Sequence, residues 1–239
     1  MRFIFLWGFV FLANIMSGQI NLNKLKNAAT KAQSVITPIT LSEDDVVKGL
    51  KEALIVGSRN SVANASSEGG FNNNLLIKIP FPEQAKEIKK VLGKAGMGPQ
   101  LNKFENTLNE AAEDAAHFAK EIFIDAVTAM TINDAISILK GADNAATNYL
   151  RHETSEELYI KFKPIVKNSI EKVNLLKYWN VIAERYNAIR LVKQVNTDLA
   201  DYVTMQAIDG LFILIAQEEK DIRNNPRARV SKTLQKVFK

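Results

Sequence analysis

Apolar side chains recur along this chain at spacings of three and four, the period of a helix with one face in a core. The clearest instance is Tyr202–Arg223. There Met205, Ile208, Leu211, Phe212 and Ile215 trace one stripe, and Val203, Ala207, Gly210 and Leu214 fill a second. Only Gln206 and Asp209 interrupt the apolar or small-residue run from Met205 to Ala216. A helix apolar on most of its circumference belongs inside a protein. The run is shorter than the ~20 apolar residues that cross a bilayer, and it ends in Glu218, Glu219, Lys220 and Asp221. The pattern predicts a central core helix.

The rest of the chain reads as further helices. Asn21–Val35 is weakly amphipathic and ends before Pro38. Ser42 with Asp45 has the form of a capping box, opening a helix to about Ala65 that buries Val46, Val47, Leu50, Ala53 and Leu54. Ser66–Asn74 is a Gly- and Asn-rich loop, and Leu75–Ile79, ahead of Pro80 and Pro82, is extended chain or an isolated strand. Glu83–Leu92 is a short helix with Ala85, Ile88, Val91 and Leu92 inward. Gly93, Gly96, Gly98 and Pro99 separate it from a pattern that continues to Met130 with a bend near His117–Glu121. Thr131 with Asp134 starts the next helix and Gly141 stops it. Asp143 then caps a short helix through Arg151, and Thr154 with Glu157 begins another that Pro164 interrupts or kinks. Ile165–Tyr186 holds one apolar face, Thr197 or Asp198 caps the central helix, and Arg227–Phe238 is a last amphipathic helix. The predicted fold class is all-α: a single multi-helix, bundle-like domain around a buried helix near the C-terminus.

Composition narrows the function classes. In 239 residues the net charge is +5, but lysines and glutamates are interspersed, without the concentrated basic face of a nucleic-acid binder. The absence of cysteine excludes thiol catalysis, zinc–thiolate sites and disulfides. Arg2, the apolar stretch Phe3–Ile15 and the small residues Ser17 and Gly18 have the form of a signal peptide over residues 1–19. Residues 20–239 are then one helical domain, exported and periplasmic.

Candidate chemistry is sparse. Asp114 and His117, with Glu113, share a helix face, and His152 lies near Glu153 and Glu156, but the paired Glu-x-x-His motifs of a di-metal bundle are missing. No nucleophile elbow, phosphate loop or dinucleotide fingerprint occurs, so no cofactor is expected. Lys140–Glu153 packs Asp143, Asn144, Asn148, Arg151 and His152 into a short span, where they form either a ligand site, with Arg151 on an anionic group, or an internal network. Gly69, Gly70, Phe71 and Asn72 are a candidate binding loop or simply turn geometry. Asp209 reads as a buried charge, paired with Arg151 or Arg185, and Gly210 as a point of close approach by another helix. Arg227–Lys239, basic with an apolar stripe and no acid, suits either a docked terminal helix or peripheral membrane contact.

Four stretches together resemble a known family, the exported bacterial proteins grouped as domain of unknown function 4197. They are LSEDDVVKGLKEAL at Leu41–Leu54, GGFNNNLLIKIPFPE at Gly69–Glu83, the segment from Phe123 to Val166, and YVTMQAIDGLFILIAQEEKDIRNNPRARVSKTLQKVF at Tyr202–Phe238. Together they cover most of the mature chain, in the order the family would have. It implies an all-helical envelope protein and no particular activity; relatives that are lipoproteins carry a cysteine that this chain lacks. The leading expectation is a non-catalytic binding domain that recognises a small ligand or a protein through the Gly69–Asn74 loop and the Asp143–His152 turn. The alternative is a metal-dependent or hydrolytic enzyme using Asp114, His117 and His152.

Overall fold

The computed structural model describes residues 42–94, 96–171, 179, 184 and 198–225, without the side chains of Gln84, Ile88, Val91 and Leu92. The expected helices at Asn21–Val35 and Arg227–Phe238, and most of the one at Ile165–Tyr186, lie outside that set. The described chain is helical, with α1 Glu43–Ser66, a 3₁₀ turn Glu83–Ala85, α2 Lys86–Lys94, α3 Gly98–Ala116, α4 Ala119–Ala129, α5 Ile132–Lys140, α6 Ala145–Glu171 and α7 Leu199–Asn224. Among the described residues no strand forms, and the all-α class stands.

Caps set most of the boundaries. At α1 the Ser42 hydroxyl accepts from the Asp45 N–H at 3.1 Å while the Asp45 carboxylate accepts from the Ser42 N–H, and three acidic residues in the first turn suit the helix dipole. Thr131 and Asp134 repeat the device at α5, and Asp198 caps α7 through the Asp201 N–H. The break between α3 and α4 falls at His117–Phe118, at the early edge of the expected bend. α5 turns 101° away from α4.

Two expectations fail here. Asp143 does not start a short helix that stops at Arg151; α6 runs unbroken for 27 residues through Thr154 and Pro164. Thr154 folds its hydroxyl back onto the Leu150 carbonyl at 2.6 Å, as a mid-helix threonine can, so its capping signature is spent inside the helix. Leu75–Ile79 is not a strand either. Leu75–Ile77 form turns, and the Ile79 peptide pairs with one buried side chain: Asn109 accepts its N–H at 2.8 Å and donates to its carbonyl at 3.0 Å. That amide supplies the two bonds a neighbouring strand would.

α7 is the core. It packs against α1, α3 and α6, burying Val203, Ala207, Leu211, Phe212 and Ile215. At 26 residues it is long and apolar enough to cross a membrane, so length does not decide the matter, contrary to the reading of its apolar run. Burial decides: 61% of its apolar window lies inside the protein, covered by the three neighbouring helices. Where α1 and α7 pass each other, a Cβ at Gly57 would sit 3.4 Å from the Glu218 Cβ, an ordinary van der Waals contact.

Candidate functional site

The Gly69–Asn72 loop is built around a glutamate. Glu113 of α3, only 8% exposed, accepts the N–H groups of Gly69 at 3.1 Å, Phe71 at 3.0 Å and Asn72 at 3.2 Å. The two glycines are required by geometry: Gly69 sits at φ +75°, and a Cβ on Gly70 would lie 2.3 Å from the Asn64 carbonyl oxygen. Phe71 is fully buried against Gly210 of α7, where a Cβ would meet its ring at 2.7 Å. The close approach expected at Gly210 is therefore made by this loop rather than by a helix. Asn72 is half-buried; its Nδ2 donates to the Asn106 side chain at 3.1 Å, while its Oδ1 is buried without a hydrogen-bond partner.

A second glutamate does the same for α6. Glu219, on α7, accepts the N–H groups of Ala146 at 3.1 Å and Thr147 at 2.9 Å, and the Thr147 hydroxyl at 2.7 Å. It therefore fills the N-terminal position expected of Asp143, which is exposed. Arg223 holds the carboxylate from one turn further on, through Nε at 3.0 Å and Nη2 at 2.8 Å, and donates to the Ile138 carbonyl at 3.1 Å. Thus the backbone donors at both candidate segments point to internal carboxylates. Asn144, Asn148 and His152 face solvent, and His152 lies 2.8 Å from Glu153.

Asp209 pairs at 2.6 Å with Arg151, one of the two partners expected for it, and the Arg151 guanidinium lies 4.4 Å from the Phe212 ring centroid. The burial expected of this pair is wrong: the two side chains are 44% and 47% exposed. Asp209 sits on the rim of α7, where water reaches it between flanking apolar residues. Among the described residues the buried charges are instead Glu113 and Glu219. A sequence signal for Glu219 existed in Arg223, four residues on and in ion-pairing register; none marks Glu113.

The metal-site alternative has no geometry to support it. Asp114 accepts from Ser169 near the far end of α6 at 2.8 Å, which puts His152, 17 residues earlier on that helix, about 25 Å away along the axis. His117 is exposed at the α3–α4 break. Among the described residues no three His, Asp or Glu side chains are placed to hold one ion.

One polar cluster was not anticipated. The Tyr159 hydroxyl donates to Asp201 at 2.5 Å and accepts from Lys163 at 2.8 Å, and Lys163 reaches both Asp198 and Asp201 at 3.0 Å. Hydrogen bonds from Tyr159 and then Lys163 hold the Asp201 carboxyl below its ordinary value. The bonds to Tyr159, Asp201 and Asp198 hold the Lys163 ammonium above its own. The cluster ties α6 to the start of α7. Nearby, burial pushes the Tyr202 hydroxyl up to about 12 while it donates to the Pro80 carbonyl at 3.0 Å.

The candidate segments, far apart in sequence, thus meet on adjacent residues of α7: the loop at Gly210 and Arg151 at Asp209. Around α7 from Gly210, Ile213, Asp209 and Met205 follow on one side at about 60°, 100° and 140°. Met205 and Ile213 are exposed, and the next turn of the loop holds Leu75 at 91% and Leu76 at 59% exposure. No curated protein and no solved structure matches the chain. The model of a protein family of unknown function, DUF4197, matches residues 40–239, which include every element of the fold and each residue placed above. The chain belongs to the DUF4197 family.

Proposed function

We propose that this chain is an exported, non-catalytic interaction protein that binds a protein partner through its exposed apolar side chains, Leu75 and Leu76 on the turn and Met205 and Ile213 on α7. The observation that carries the reading is a rigid loop presenting two leucines to water. The loop is held by Glu113, by Asn109 and by buried Phe71, so the exposure of Leu75 and Leu76 is a fixed feature of the fold. Burying each leucine fully stabilises a contact by about 1.5–3 kcal/mol. Met205 and the half-exposed Arg151 belong to the residue types enriched at protein interfaces. A ligand held by the N–H groups of Gly69, Phe71 and Asn72 would have to displace Glu113, which favours contact through the outward-facing turn beyond them. The form of residues 1–19 supports export to the periplasm.

Site-specific photo-crosslinking in intact cells tests this. A photoreactive residue at position 75 is expected to give one dominant adduct, which Met205→Ser with Ile213→Ser removes, while the same probe at exposed Lys48 gives none. The Leu75→Ser/Leu76→Ser variant should keep its Tm, because neither side chain packs in the core. Equal adducts at positions 75 and 48, or none at 75, would sink the reading.

A further inference from the structure

Beyond the Ser58 turn, α1 and α7 enclose a groove of about 480 Å³. Ser61 and Asn64 line it from α1, and Gln217, Glu218, Lys220 and Asp221 line it from α7. Among the described residues Leu214 is the one apolar side chain in its wall. Glu218 is steadied through one oxygen, which accepts from Asn60 at 3.1 Å.

Ser61 is the unusual member. It is fully buried, and its hydroxyl has no hydrogen-bond partner. Helical serines and threonines commonly bond the carbonyl four residues back, as Thr154, Ser155 and Thr204 do here. Ser61 does not. Buried hydroxyls left unmet inside a protein are uncommon and call for an explanation.

We infer that the groove is a binding site for a small polyhydroxylated ligand of mono- or disaccharide size. The volume falls in the range of small-molecule sites. Walls so poor in apolar side chains do not suit a lipid or an aromatic ligand. Carboxylates, amides, an ammonium and a hydroxyl stand side by side, which matches vicinal hydroxyls, since each of those both donates and accepts. Charges of both signs make the groove a poor match for a simple anion or cation. Glu218 and Asp221 accept from ligand hydroxyls at the groove wall, and a ligand oxygen that reaches its floor finds the Ser61 hydroxyl unpartnered.

The test is titration of the isotopically labelled full chain with maltose, with N-acetylglucosamine and with the diamine putrescine, followed by amide chemical shifts. At least one sugar is expected to give saturable shifts centred on Ser61, Asn64 and Gln217. Ser61→Ala should weaken that sugar by about fivefold, the loss of one hydrogen bond, while its Tm stays level or rises because the hydroxyl makes no internal bond. Gln217→Ala, on the exposed side of α7, should weaken it similarly without touching the core. Saturable binding of putrescine alone, no saturable shift with either sugar, or sugar binding unchanged in both variants overturns the assignment.

Discussion

At Glu219 a single carboxylate meets five donors: two backbone N–H groups and a hydroxyl from α6, and two guanidinium N–H groups of Arg223. The Glu219 and Arg223 side chains are 5% and 12% exposed, so water cannot replace a lost partner. Glu219→Ala is therefore expected to cost about 3–5 kcal/mol in denaturant unfolding, as removal of one partner of a buried pair does. Asp209→Ala, by contrast, should cost less than ~1 kcal/mol, because water screens both members of its half-exposed pair. Equal losses at the two positions would refute this assignment of the buried charge. The contrast also explains which polar residues were legible. Asp209, set among apolar neighbours, has the pattern of a buried charge, yet it lies on the rim of α7. Glu219, beside Glu218 at the polar end of the same helix, reads as surface. Periodicity along one helix cannot tell which neighbour covers each face, and α6 covers Glu219.

At the scale of elements, α6 and α7 are held at one end by Glu219 and further along by the Tyr159–Lys163–Asp201 cluster. The pH dependence of the second tie has a definite sign. The Asp201 carboxyl in the folded chain titrates below its ordinary value of 3.8, so its stabilisation is present above that value. It is lost as the pH falls through the lowered one. Asp201→Asn should consequently be less stable than the parent at neutral pH, with the difference shrinking to nothing in acid. Thermal melts across that range check it, and a difference that persists in acid would show that the carboxylate's charge is not what matters. Local capping signals at Ser42, Thr131 and Asp198 placed their helices correctly because a cap depends on three or four consecutive residues. Asp143 and Thr154 carry similar local signals, and both were overridden. Glu219 reaches the start of α6 from another helix, and packing on α7 carries α6 past Thr154 and Pro164.

Across the whole molecule, the irregular segment between α1 and α2 is as deeply tied in as the helices. Its N–H groups at Phe71, Asn72 and Ile79 end on Glu113 and Asn109, and Phe71 and Ile79 are buried. Native-state hydrogen exchange should find the Phe71 and Ile79 amides as protected as those of α3, and Glu113→Ala should selectively speed exchange at Gly69, Phe71 and Asn72. Fast exchange of those amides in the unaltered chain would show that the loop opens on its own and would weaken the case for a rigid Leu75–Leu76 face. The chain alone determined that the protein is helical, where most helices begin, and that Tyr202–Arg223 lies in the core, because periodicity and caps are properties of neighbouring residues. Only the tertiary structure decided that two glutamates occupy the candidate binding segments from within and that both segments converge on Asp209–Gly210. It alone left Leu75 and Leu76 in water and Asp209 at the rim. Those outcomes depend on contacts between residues up to about 140 positions apart (Phe71 and Gly210), which no local pattern encodes.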